Sequence, residues 1–414
     1  MPINRGSHPI FHGRNQELDD FQFFLNEIEK QKTRTSFLIQ GSPGAGKTTL
    51  AQKCSDLAEK QGWQVVVMNI PTLLHLKEFR KAVGREPRWK FWRKRQVKIP
   101  LVYEGTFSSL QINFDYHTFV KTLNAIHCPT ILYFDEAQRL GDASLTTAQK
   151  RILSDVLDEL HNQRKNAKHP IIFLMNGLGR TEKILKEYGI SRPADEAVIY
   201  LKALDQHSER NIIRDYLVKE AHVSINDPQL NHWIDQISEQ THGWPSHITS
   251  YANTFMKYLQ KHGTSLNHEK LKNVLALGTQ KRYHYYDQRC EGVEPEDKKK
   301  IASFLVKRPH QNTFTQKQLT FFLQKSLSKE KSHQIFDQLL RHGCIHRITG
   351  GAYQIAIPSM KDWLLETYSI KPTPTISQKT PQRSHSKTIK PSRSTSNSKK
   401  KSPNELDVSQ GPSI

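Results

Sequence analysis

The chain has 414 residues, enough for two or three domains, and 36% of them are hydrophobic, which excludes a small single-core protein and a wholly disordered one. Lysine and arginine outnumber aspartate and glutamate by 61 to 40, a net charge of +21 that favours a polyanionic partner, although a basic tail on a neutral body would give the same sum. Cys54, Cys128, Cys290 and Cys344 lie far apart with no Cys-x-x-Cys pair, no stretch reads as a signal peptide, and no run reaches about eighteen apolar residues, so the expectation is a cytoplasmic chain with reduced thiols and no membrane partner.

In chain order, Leu18, Phe21, Leu25 and Ile28 recur at helical spacing behind Asn15, which is suited to an N-cap. Five runs rich in β-branched and aromatic residues follow, at 36–40, 64–70, 130–135, 171–176 and 197–201, separated by helical or polar stretches. Near-continuous apolar strands between helices predict an α/β fold, a buried parallel sheet with helices on both faces. After Leu204 the strand pattern stops, and helical periodicity over 207–222, 228–240, 246–262 and 267–277 predicts a helical lid. Its second helix is expected to open on Asp227-Pro228 and its third on Gly243-Trp244-Pro245. From Pro295, helices near 296–307, 315–325 and 328–342 precede strands at 346–349 and 352–357 joined by Gly350-Gly351, the order of a winged helix. Beyond Ile370 the chain is Ser, Thr, Pro and Lys with too few apolar residues to offset the entropy of ordering. The expected division is a nucleotide-binding domain at 1–204, a lid at 205–290, a winged helix at 291–370 and a disordered basic tail at 371–414.

The first strand runs into Gly41-Ser42-Pro43-Gly44-Ala45-Gly46-Lys47-Thr48, a match to G-x-x-x-x-G-K-[ST], and then into a helix carrying Leu50, Cys54 and Leu57, with Thr49 expected to bind the nucleotide alongside the loop. Glycines allow successive backbone N–H groups to turn inward around an anion, and the helix N-terminus adds its dipole. The pattern is a P-loop for ATP: Lys47 reaches the β- and γ-phosphates, and the Thr48 hydroxyl binds Mg²⁺. A metabolic kinase would need an acceptor-substrate site, and none is evident.

Ile131-Leu132-Tyr133-Phe134-Asp135-Glu136 is an apolar strand ending in two acids, the Walker B arrangement. It places Asp135 beside the metal and Glu136 as the base that orients the attacking water. Two such acids in isolation also serve as turn or capping residues. The next strand ends in Asn176, whose amide is suited to positioning water against the γ-phosphate, or to turning the chain before Gly177.

Phe11-His12-Gly13-Arg14-Asn15-Gln16-Glu17-Leu18, the P-loop, Phe134-Asp135-Glu136-Ala137 and Asn176 together resemble the AAA+ ATPases of the origin-recognition and cell-division-control initiator type and their bacterial relatives. The resemblance implies that Gly13 and Arg14 lie near the adenine, that a homo-oligomer is possible, and that Arg192 in Gly189-Ile190-Ser191-Arg192, with Arg180 in reserve, is an arginine finger. Gly243-Trp244-Pro245-Ser246-His247 is similar to the G-x-P lid element of signal-transduction (STAND) NTPases, which would bring Pro245 to the nucleotide. His247 stands near the position where AAA+ lids commonly carry an arginine.

Three features point towards DNA. The stretch 85–98 contains Arg85, Arg88, Trp89, Lys90, Phe91, Trp92, Arg93, Lys94 and Arg95, cations for phosphates and rings for bases. The helix expected at 328–341 offers Lys329, Lys331, His333, Gln334, Gln338 and Arg341. The tail adds further lysines and arginines. Packing of the aromatics on the domain, protein docking by the winged helix and a solvated tether account for the same features. Two readings stay open: an ATPase, slow or partner-stimulated, that acts as a nucleotide-dependent switch on DNA in replication, plasmid maintenance or transposition, and a STAND-like signalling switch whose winged helix serves protein contacts or autoinhibition.

Overall fold

A computed structural model describes residues 10–31, 36–68, 126–142, 144–163, 169–188, 198–308, 313–348 and 351–368. All of them belong to the first of two units, Met1–Thr373, the second being Pro374–Ile414.

The five expected strands are present: β1 (Ser36–Gln40), β2 (Gln64–Met68), β3 (Thr130–Phe134), β4 (Ile171–Gly177) and β5 (Val198–Tyr200). They form one sheet in the order β2-β3-β4-β1-β5 with every pair parallel. Alternate residues feed opposite layers, which is why the strands read as continuous apolar runs. Phe37, Ile39, Ile131, Tyr133, Ile172 and Leu174 pack with α1 (Asn15–Gln31) and α2 (Lys47–Lys60), while Leu38, Leu132, Phe134, Phe173 and Met175 pack with α3 (Thr147–Gln163) and α4 (Thr181–Glu187). In the first layer Phe37 meets Phe21 and Phe24 with ring centroids 5.0 and 5.2 Å apart. Truncating such a ring to alanine costs about 3–5 kcal/mol.

Two sequence expectations shift at helix starts. Asn15 is the first helical residue, not the cap, because Arg14 before it adopts φ 64° and its carbonyl takes the Leu18 N–H. Asp227 closes a turn ahead of the next helix: its carboxylate accepts the N–H of Gln229 at 2.8 Å and of Leu266 at 3.1 Å, and the helix begins only at Leu230.

Four helices follow the sheet: α5 (Gln206–Asp215, continued by a π-helical turn Tyr216–Glu220), α6 (Leu230–Thr241), α7 (Pro245–His262) and α8 (His268–Arg289). Trp233, Ile237, Ile248, Tyr251 and Phe255 fill their common core. Helix α8 extends twelve residues beyond its expected end. Its first half packs there through Leu271 and Val274, and its last turns carry Tyr286 into the cluster that holds Trp363 and is continuous with the α1 and α2 layer of the sheet. The Tyr286 hydroxyl lies 2.5 Å from that of Ser359.

The C-terminal part of that cluster is built by α9 (Pro295–Val306), α10 (Gln316–Leu323), α11 (Lys329–Arg341) and α12 (Pro358–Thr367), with β6 (Thr313–Phe314), β7 (Ile345–Arg347) and β8 (Tyr353–Ile355) in an antiparallel sheet of order β6-β8-β7. Helix α10 starts on a capping box, Thr315 with Gln318, and α11 on Ser328. Strand β6 and helix α12 are additions to the expected elements.

Candidate functional site

The strand order brings three chain segments to one sheet edge. β4 lies between β3 and β1, with Phe134 opposite Met175 and Asn176 opposite Ile39, so Gly41–Thr48, Asp135–Glu136 and Asn176 converge where the parallel strands end. Gly44 and Gly46 hold φ of 79° and 90°, conformations a side chain strains against, and Gly46 is the N-cap of α2. The Lys47 amine donates to the Ser42 carbonyl at 3.0 Å. Burial lowers its pKa to about 8, opposed by Asp135 and Glu136 and reinforced by Arg289. The Thr48 hydroxyl lies 3.3 Å from one Asp135 carboxylate oxygen and 3.5 Å from the other. Thr49 continues α2 one residue further.

Glu136 adopts φ 53° at the start of a 3-10 turn, Ala137–Gly141, and is exposed, with Arg139 at 3.6 Å from its carboxylate. Asn176 is completely buried. Its amide oxygen accepts the Glu136 N–H at 2.8 Å and its amide nitrogen donates to the Tyr133 hydroxyl at 2.9 Å. The left-handed turn that aims Glu136 is thus held by Asn176.

Gly13 lines a cavity of about 250 Å³ with Phe11, His12, Asn15, His207, Ser208 and Asn211. The Arg14 guanidinium is committed elsewhere, to Glu17 at 2.9 Å and the Lys202 carbonyl at 2.5 Å. Arg180 pairs with Asp337 of α11 at 3.0 Å. Arg192, the stretch 85–98 and the tail lie outside the described residues.

Pro245 is the first residue of α7 and abuts the loop: a Cβ on Gly46 would stand 3.7 Å from its ring. The adjoining Ser246 N–H donates to the Gly44 carbonyl at 3.1 Å. His247, buried behind it, has neither ring nitrogen paired among the described residues, and burial followed by the charge of Arg282 lowers its pKa to about 3, so it is neutral at ordinary pH.

The sequence reading missed two further contacts on the loop. The Tyr285 hydroxyl donates to the Pro43 carbonyl at 2.8 Å. Gly343, at φ 71°, lies so close that a Cβ there would be 2.4 Å from Pro43 Cδ. Neither belongs to a recognisable motif, because both come from segments more than 240 residues away. Helix α11 joins the same contact through Asp337 and through Leu340, which lies near Gly179.

Residues 10–175 match the family model described as the AAA ATPase domain. No curated protein matches the chain. Among solved structures, the chain resembles the Walker-type ATPase paby2304 of Pyrococcus abyssi, with a TM-score of 0.54 and 14% identity over 86% of this chain and 96% of that one. It also resembles the Aeropyrum pernix ORC2 protein in its ADPNP–ADP complexes (TM-score 0.50, 14% identity, 87% and 94% covered) and in its ADP form (TM-score 0.51, 13% identity, 86% and 94% covered). Residues 10–175 are thus similar to an AAA ATPase domain, and the chain shares the fold of these Walker-type and ORC2 structures.

Proposed function

We propose that this chain binds and hydrolyses ATP with Mg²⁺ and uses the nucleotide state as a switch on DNA. The observation that carries the reading is the convergence of Lys47, Thr48, Asp135 and Glu136 at one sheet edge behind a glycine-shaped loop. Loop N–H groups and the Lys47 ammonium bind and orient the phosphates. The Thr48 hydroxyl and Asp135 carboxylate, side by side and both hard oxygen donors, would hold a magnesium ion. Bound there, the ion would neutralise charge on the phosphates. Glu136 accepts the proton of the water that attacks the γ-phosphorus, while Asn176 keeps its turn in place. The ORC2 protein of similar fold carries ADPNP and ADP, which accords with this reading.

In this reading, residues 1–204 are the nucleotide domain, 205–290 the lid and 291–370 a winged helix, with α11 as the helix offered to DNA. The net charge of +21 favours DNA as the partner. One observation favours the second reading, a signalling switch locked by its C-terminal helices: Gly343 and Asp337 place that part of the chain directly on the nucleotide domain. Binding of labelled duplex across a salt series separates the two. A DNA switch gives an affinity that falls steeply with salt and differs between ATP and ADP, and a signalling switch gives weak binding indifferent to both.

Glu136→Gln tests the chemistry. It is expected to keep ATP affinity and lose turnover by about a hundredfold or more. Unchanged turnover removes Glu136 from the role of base.

A further inference from the structure

Cys290 and Cys344 come from segments 54 residues apart and meet in the interior, with their sulfur atoms 3.9 Å apart. Cys290 is the C-cap of α8, and Cys344 stands between the end of α11 and the start of β7. Both are buried, 2% and 1% exposed, in the cluster that holds Tyr286 and Trp363. The Cys344 thiol also donates to the Arg289 carbonyl at 3.1 Å. Among the described residues no other cysteines touch: Cys54 lies buried within α2, and the Cys128 thiol faces Gln64 Oε1 at 3.6 Å. A disulfide bond, at about 2 Å, needs the two sulfurs to close by a similar distance, which small rotations of both side chains supply.

Position decides what such a bond would do. Gly343, the residue before Cys344, packs on Pro43 of the phosphate loop. Tyr285, little more than one helical turn before Cys290, gives its hydroxyl to the Pro43 carbonyl. The two cysteines thus sit directly behind the contacts that α8 and the C-terminal part of the chain make with the loop. We propose that Cys290 and Cys344 form a peroxide-responsive dithiol, whose oxidation to a disulfide ties β7 to the end of α8 and holds both contacts on Pro43. The proposal is independent of what the loop binds.

The closed arrangement keeps the pair reduced. The neighbouring Cys290 thiol, and then burial, hold the Cys344 thiol well above the ordinary range, so little thiolate is present for an oxidant. Oxidation starts when the C-terminal segment lifts and one sulfur meets hydrogen peroxide. That thiol attacks a peroxide oxygen: the O–O bond breaks, an S–O bond forms and water leaves, giving a sulfenic acid. On reclosure the second sulfur attacks the first, the S–S bond forms, the S–O bond breaks, and the hydroxyl departs with the thiol proton as a second water. The two sulfurs give up two electrons and peroxide takes both. In a reducing compartment such a bond is transient and serves as a sensor.

The test uses the full chain, exposed to hydrogen peroxide, denatured in N-ethylmaleimide and mapped by mass spectrometry without reduction. A peptide pair joined through Cys290 and Cys344 is expected, with Cys54 and Cys128 unlinked. Hydrogen exchange of α11 and β7 should slow about tenfold or more in the oxidised chain, because the crosslink restricts opening, and should return to its starting rate with dithiothreitol. Cys290→Ala should give neither the link nor the slowing. The oxidised and reduced wild type decide the question even if that variant does not fold. Free thiols at both positions after peroxide, or sulfinic acids without the link, would overturn the proposal, as would a linked chain whose α11 exchange is unchanged.

Discussion

The N–H of Glu136 is held by the side-chain oxygen of Asn176 at 2.8 Å, a bond across 40 residues that joins the ends of two neighbouring strands. Because Glu136 sits at φ 53°, its left-handed turn depends on that partner. Asn176→Ala is expected to leave ATP affinity within about threefold and to slow turnover about tenfold or more, through misplacement of the glutamate. It also leaves the Tyr133 hydroxyl without its donor, at a stability cost of about 1–3 kcal/mol. Steady-state hydrolysis, equilibrium ATP binding and a denaturant melt check the three effects.

Lys47 gives the binding a pH dependence of definite sign. Its pKa is lowered to about 8 by burial, and ATP favours the charged amine, so nucleotide binding raises that pKa again. Affinity should therefore fall as pH rises above about 8, and binding at pH 8.5 should take up protons. Calorimetry in two buffers of different ionisation enthalpy measures that uptake. Zero uptake would contradict the assignment of the lysine to the phosphates.

His247 makes the lid acid-sensitive. Burial holds its pKa near 3, below the unfolded value near 6.5, so its contribution to stability is fully present above pH 6.5 and is lost as the pH falls from there towards 3. The limiting slope is about 1.4 kcal/mol per pH unit. Thermal melts from pH 7.5 to 5 should show a steeper loss for the wild type than for His247→Gln, and parallel curves would exclude this histidine as the cause.

Gly343 allows the C-terminal helices to touch the phosphate loop. A valine there faces both the φ of 71° and the Pro43 ring, so Gly343→Val should force the two apart. Hydrogen exchange in α11 should accelerate, with the Arg180–Asp337 pair at 3.0 Å too weak to hold the contact alone, since such exposed pairs contribute about 0–1 kcal/mol. Unchanged exchange would show that the contact at Pro43 is not what holds α11.

The sheet was legible in the sequence because its inner strands β1, β3 and β4 are buried on both faces and therefore read as short apolar runs between helices, while the edge strands β2 and β5 keep β-branched and aromatic residues. The P-loop and the two acids were legible because their chemistry fixes both residue type and spacing. Helix α8 was cut short because its second half, Thr279 to Arg289, offers tyrosines, arginines and histidine in place of an aliphatic stripe, and buries Arg282 and Tyr286. Tyr285 and Gly343 were invisible for a related reason. Their contacts with Pro43 arise from long-range packing, which leaves no local pattern. Asn176 was recognisable as a site residue, but its bonds to Glu136 and Tyr133 follow from the strand order, which periodicity does not encode.

The central claim is that the nucleotide at the P-loop controls an interaction with DNA. Its most direct test is fluorescence polarisation of labelled duplex with the full chain in ATP, in ADP and without nucleotide, beside Lys47→Ala. The account predicts an affinity that changes about tenfold or more between ATP and ADP for the wild type and is the same in all three conditions for Lys47→Ala. Equal DNA affinity of the wild type in ATP and ADP would contradict it.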